Sequence, residues 1–184
     1  MPIDRKDTDR IRQLRAKRLQ AAQDNQNDEK RSKYGEDIVA KINLSLNVNK
    51  SLSDYNPATN MPFEFRSEPN FEDCSGLVAA HTSEENVRRI LTCVGDTLGP
   101  SQGMLGFDEY AFIGVVQIKP LRFESLLDAA KSIHSTVLCC AEDEQGIVVV
   151  DHYNVAGVIE DTHFSLIVQG EYLEREVAKC FGLR

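Results

Sequence analysis

Asn70-Phe-Glu-Asp-Cys-Ser-Gly-Leu-Val78 is the stretch on which the reading of this chain turns. Cys74 follows an acidic residue and precedes Ser-Gly, and the apolar run Leu77-Val-Ala-Ala80 then predicts the start of a helix. A cysteine at a helix start meets unpaired backbone N–H groups and the positive end of the helix dipole. Both favour thiolate over thiol, and the thiolate is the nucleophile. Cys74 is therefore a candidate reactive cysteine. Most of the other cysteines (Cys93, Cys139, Cys140 and Cys180) sit on apolar stretches and read as small core residues. An odd total of five, with no CxxC spacing, argues against a disulfide framework and a zinc site.

Upstream of this stretch, residues 49–72 carry Pro57, Pro62 and Pro69 among Asn, Ser and Asp, which predicts a loop. Before it, Ile38, Val39, Ile42 and Leu46 fall at helical spacing and predict a packed helix. Its second half also alternates as a strand would, through Ile42, Leu44, Leu46 and Val48. Residues 4–34 are polar, free of Gly and Pro, and helix-favouring, with only Ile11, Leu14 and Leu19 as a thin apolar stripe. That is too little for a core helix and suits an arm that docks on a partner or frays. Gly35 is expected to break it, which divides the chain into a charged helical arm, 1–34, and a body, 35–184.

Downstream, Thr82-Ser-Glu-Glu85 fits a capping box opening a helix with Val87, Ile90, Leu91 and Val94 on its apolar side. Gly95 is expected to end it, with a flexible loop over Gly99 to Gly106. Tyr110 to Ile118 predicts a strand stopped by Pro120, and Phe123, Leu126, Leu127, Ala130 and Ile133 predict an amphipathic helix. Thr136 to Cys140 and Ile147 to Val150 predict a hairpin. Val155 to Ile159 and Phe164 to Val168 predict two more strands, and Glu171 to Phe181 a closing helix. Helices first and hairpin-linked strands after them describe an α+β domain with a largely antiparallel sheet.

The net charge of −8 is unevenly spread. Residues 1–34 hold ten Lys/Arg against six Asp/Glu, whereas the remainder holds eleven against twenty-three. An acidic body argues against a nucleic-acid groove there, while the arm could touch an anionic surface or simply be a solvated helix. No run approaches the roughly 18–20 apolar residues of a membrane span. Met1-Pro-Ile-Asp-Arg-Lys6 has no apolar core behind its charges, so no secretory signal is expected and the chain reads as made in the cytosol.

Asp73-Cys-Ser-Gly-Leu-Val78 resembles the motif at the nucleophile helix of the NlpC/P60 family of cysteine peptidases and amidases. Pro62-Phe-Glu-Phe65 and Pro69-Asn-Phe71 are similar to that family's approach to the motif, with Arg66-Ser67 where the family carries Gly-Gly. The resemblance implies a papain-like domain with N-terminal helices packed on the sheet. It also implies hydrolysis of an amide bond through a thioester, with no metal or organic cofactor. The substrate would be a peptide such as the cell-wall stem peptide, reached through a phage particle, a secretion machine or lysis. Of the four histidines, His152 ends an apolar strand and His163 lies eleven positions on, the family's order for a base and the residue that orients it. The resemblance thus assigns Cys74 as nucleophile, His152 as base and His163 as orienter. Backbone N–H at Cys74 would contribute to an oxyanion hole.

Two other readings stand beside this one. His134-Ser-Thr136 and His163-Phe-Ser165 both fit His-x-Ser/Thr, the pattern of two-histidine phosphoesterases. A charged helical arm on a small acidic domain also describes a non-catalytic interaction module or particle component, with 4–34 as its partner-binding element.

Overall fold

Alternate residues of three neighbouring strands make the surface on which the helices pack. In the computed structural model, which describes residues 5–58, 76–99, 101–141, 146–154 and 162–181, these are Val137, Cys139 and Ala141 of β4 (Val137–Ala141), Val148 and Val150 of β5 (Ile147–Asn154), and Phe164, Leu166 and Val168 of β6 (Thr162–Gln169). The strands pair antiparallel, Val137 opposite Val150 and Val148 opposite Val168, so a period-2 apolar pattern on each becomes one continuous face. With β1 (Leu77–Thr82), β2 (Ser101–Phe107) and β3 (Val116–Leu121) they form a six-stranded sheet in the order β1-β6-β5-β4-β2-β3. All five pairings are antiparallel, and the architecture is α+β.

Four helices supply the other half of the core. These are α1 (Arg5–Leu46), α2 (Glu84–Leu98), α3 (Ser125–Ile133) and α4 (Glu171–Cys180). Ile38, Val39, Ile42 and Leu46 of α1 settle the ambiguity of that segment in favour of helix, and they join Val87, Leu91, Leu126, Leu127, Leu173 and Val177 in one buried cluster. Each such side chain contributes roughly 1.5–3 kcal/mol on burial.

Several local expectations are corrected. Leu77–Thr82 is a strand, not the start of a helix: Leu77, Val78 and Ala79 pair with Val168, Ile167 and Leu166. A four-residue apolar run cannot distinguish the two by periodicity, and the open edge of β6 takes it. Gly76 enters this strand at φ 144°, where a Cβ would lie 2.8 Å from the Val168 carbonyl oxygen, so no other residue fits there without displacing backbone. Gly35 does not break α1. It lies inside the helix, where a Cβ would stand 2.7 Å from a methyl of Leu52, so its missing side chain is the space that Leu52 fills.

The α2 N-cap is Ser83 rather than Thr82, its side chain accepting from Asn86 N at 3.3 Å, and the helix runs past Gly95 to Leu98, with Gly99 as its C-cap. The Gly99 to Gly106 segment is largely strand β2, in which Gly103 makes room for Leu121 and Cys139. The predicted strand from Tyr110 begins instead as a 3-10 turn over Ala111–Ile113, and β3 continues through Pro120. A strand at the sheet edge tolerates a residue without an N–H. Cys93 and Cys180, 87 residues apart, form a disulfide between α2 and α4, against the expectation drawn from cysteine parity. Cys180 is exposed rather than a core residue. α3, the β4–β5 pair and α4 follow the sequence reading, while the expected strand Val155 to Ile159 lies outside the described residues.

The continuity of α1 places the boundary drawn at residue 34 inside a helix about 63 Å long. Residues 12–26 are exposed along its length but for none, with Leu14 at 51% and Leu19 at 71%. Arg31 is where the helix meets the body. Its guanidinium donates to the carbonyls of Leu52 (2.7 Å), Tyr55 (2.8 Å), Phe112 (3.4 Å) and Ile113. Asn43 closes the turn after the helix, donating to the Lys50 carbonyl at 2.7 Å and accepting from Lys50 N at 3.1 Å.

Candidate functional site

His152 is the sequence-derived site residue whose surroundings are defined. It sits near the end of β5, paired with Phe164 of β6, on the face that carries Val148 and Val150. Its ring centroid is 5.3 Å from that of Phe164 and 5.3 Å from that of His134. His134 comes to this place because it caps the C-terminus of α3 in the left-handed conformation, φ 50°, turning the chain from helix into β4.

Burial lowers the His152 pKa, and the positive potential of His134 and Lys131 lowers it further, with Asp151 and Glu84 opposing. The imidazole is therefore held neutral more firmly than a histidine in water. Its Nδ1 is buried without a hydrogen-bond partner.

Above this ring pair, four charged side chains join α2 to α3. Arg88 bonds Glu84 at 2.8 Å and Asp128 at 2.7 Å, and Lys131 reaches Glu84 at 2.7 Å. The two cations lower the Glu84 pKa. All four groups are more than a third exposed, so the network is worth little in stability while it links α3 to α2.

On the opposite face of the same strands, the Thr136 hydroxyl donates to Asp151 at 2.8 Å. Glu109 accepts from the Ser135 hydroxyl and from Thr136 N. Burial, then Glu109 and Asp151, raises the Asp108 pKa.

The other two candidates, Cys74 and His163, are defined less fully. Cys74 lies outside the described residues. Gly76, two positions after it, rests against Val168 and Gln169, at the far end of β6 from Phe164. Five residues of strand separate Gln169 from Phe164, roughly 17 Å. The His163 backbone pairs with Tyr153, one register step from the His152–Phe164 pair. Paired positions share a face and successive pairs alternate, so the His152 and His163 positions fall on opposite faces of this ladder.

Cys139 shares the His152 face but is fully buried, and burial drives its pKa far up, which makes it an inert thiol. In the two-histidine pattern, the first motif directs its hydroxyls to Glu109 and Asp151. The strand that follows the first motif, β4, and the strand that contains the second, β6, are separated by β5.

Sequence reasoning missed His134 as the neighbour of His152, and the signal for it was slight: a histidine between a helix and a strand. It also missed Arg31, which in a polar helix resembles any solvated cation. Among the described residues no group of three or more His, Cys, Asp or Glu is placed to hold a metal ion, and no helix is long and apolar enough to cross a membrane. No family model matches the chain, and no curated protein or solved structure is significantly similar to it.

Proposed function

We propose that this chain is a non-catalytic protein-interaction module that presents the N-terminal part of α1 to a partner. The observation that carries the reading is the contrast along one helix: Ile38, Val39, Ile42 and Leu46 are in the core, Arg31 is bound to the body, and residues 12–26 are exposed. A polar helical segment without tertiary contacts is marginal in water, so docking would stabilise it. Residues 10–18 hold five cations and no carboxylate, and α1 continues unbroken through Gly35. The arm therefore suits an acidic surface on a partner protein.

Site-specific photo-crosslinking tests this. A benzophenone side chain at Leu19 should capture one protein with an acidic face, and charge reversal at Arg12, Arg15 and Arg18 should abolish the capture. The same probe at Leu44, 86% exposed on the packed half of α1, serves as control. Equal labelling from both positions would contradict the proposal.

The second reading is the cysteine hydrolase resembling NlpC/P60, with a papain-like arrangement and Cys74, His152 and His163 acting on a peptide or cell-wall substrate. The six-residue match at Asp73 to Val78 supports it, as does a neutral His152. The strand at Leu77–Thr82 and the register of His163 count against it. The pH dependence of Cys74 alkylation separates the two.

A further inference from the structure

We propose that the Cys93–Cys180 disulfide is a thiol-releasable clasp that holds helix α4 on the domain. This is independent of the reading of the arm. α4 reaches the core through two buried side chains, Leu173 and Val177, and at its end the Arg89 guanidinium lies 4.4 Å over the Phe181 ring. Leu173 lies over Gly146, where a Cβ would stand 2.6 Å from its methyl, so the helix also closes over the entry to β5. The disulfide is the one covalent tie between α4 and α2.

Its two sulfurs are unequal. Cys180 ends α4 and is exposed, whereas Cys93 is buried in α2. Thiol–disulfide exchange requires access to the sulfur that is attacked, which makes Cys180 the point of entry.

The reductant is a dithiol. One of its thiolates attacks Cys180 Sγ, forming a mixed disulfide, and Cys93 leaves as a thiolate that takes up a proton. The second dithiol sulfur, as thiolate, then displaces Cys180, which is protonated in turn. The reductant ends as a disulfide, and two electrons have passed to the protein. Because α4 follows every strand of the sheet, it can leave without unthreading any pairing. The released state keeps the six-stranded sheet and carries a tethered, fraying α4.

Hydrogen exchange on the full chain, before and after dithiothreitol, tests this. Residues 174–180 should exchange about tenfold faster or more on reduction while β4, β5 and β6 keep their protection. A Cys93→Ser/Cys180→Ser variant should match the reduced protein without added thiol. Under native conditions a bulky maleimide should label Cys180 faster than Cys93 once the bond is opened. Unchanged exchange in α4 would overturn the proposal. So would loss of protection across the whole sheet, which would make the bond a structural staple. Alkylation of both cysteines in untreated protein would overturn it as well.

Discussion

The guanidinium of Arg31 donates to the carbonyl of Tyr55 at 2.8 Å and so joins the exposed arm to the floor of the domain. Tyr55 is itself buried, and burial drives its phenol pKa far above the ordinary value. With Leu52, Phe112 and Ile113 also bound, Arg31 satisfies carbonyls from two separate segments that meet under α1. Removing it would leave several part-buried acceptors without their donor.

Arg31→Ala should therefore destabilise the protein by about 2–3 kcal/mol, measured by urea unfolding followed by circular dichroism. Arg31→Lys should fall between the variant and the parent, because a point charge cannot reproduce a planar fork of donors. A cost below about 0.5 kcal/mol, the range of an ordinary surface site, would show that the arm is not held here.

At Gly35 side-chain size and helix propensity act in opposite directions. Gly35→Ala should stay within about 1 kcal/mol of the parent, since the gain in helix propensity offsets a small displacement of the Leu52 methyls. Gly35→Val should cost roughly 1–3 kcal/mol through overpacking. Combining it with Leu52→Ala should recover part of that loss. A helix that truly ended at residue 35 would show no coupling between these positions.

At the start of α2, Ser83→Ala should cost about 1 kcal/mol, and Thr82→Ala less. Thr82 accepts only the side-chain amide of Asn86, at 2.7 Å, whereas Ser83 accepts the backbone N–H that would otherwise be unpaired. The reverse order in a thermal-unfolding comparison would place the cap one residue earlier.

His152 makes stability depend on pH. Its folded pKa is depressed, so the unfolded chain takes up a proton first as pH falls below about 6.5. The contribution is fully present above that value and is lost as pH falls through the folded pKa. His152→Phe keeps an aromatic ring against His134 and Phe164 and removes the titration. The slope of unfolding free energy between pH 7 and pH 5 should then become shallower. An unchanged slope would exclude His152 as its source.

What the sequence made legible follows from physical scale. Leu126, Leu127, Ala130 and Ile133 repeat at helical spacing over about two turns, and Val148 and Val150 lie in a β-branched run, so α3 and the β4–β5 pair were readable. Leu77-Val-Ala-Ala80 was too short to show a period, and only its pairing with β6 decides it. β2 hid behind Gly103, whose value lies in the Leu121 and Cys139 side chains that cross it. The eleven-residue spacing of His152 and His163 could not show that the two positions fall one register step apart, on opposite faces of an antiparallel ladder. Cysteine parity could not reveal a bond between α2 and α4 that spans 87 residues of sequence.

The most direct measurement for the choice between display and hydrolysis is iodoacetamide labelling of the native protein from pH 5 to 9, read at Cys74 by mass spectrometry. A module without a Cys–His centre predicts slow labelling at pH 6 that rises with an ordinary thiol pKa near 8.5, unaltered by His152→Ala. Rapid labelling of Cys74 at pH 6, slowed by His152→Ala, would reveal a thiolate–imidazolium pair and contradict the account.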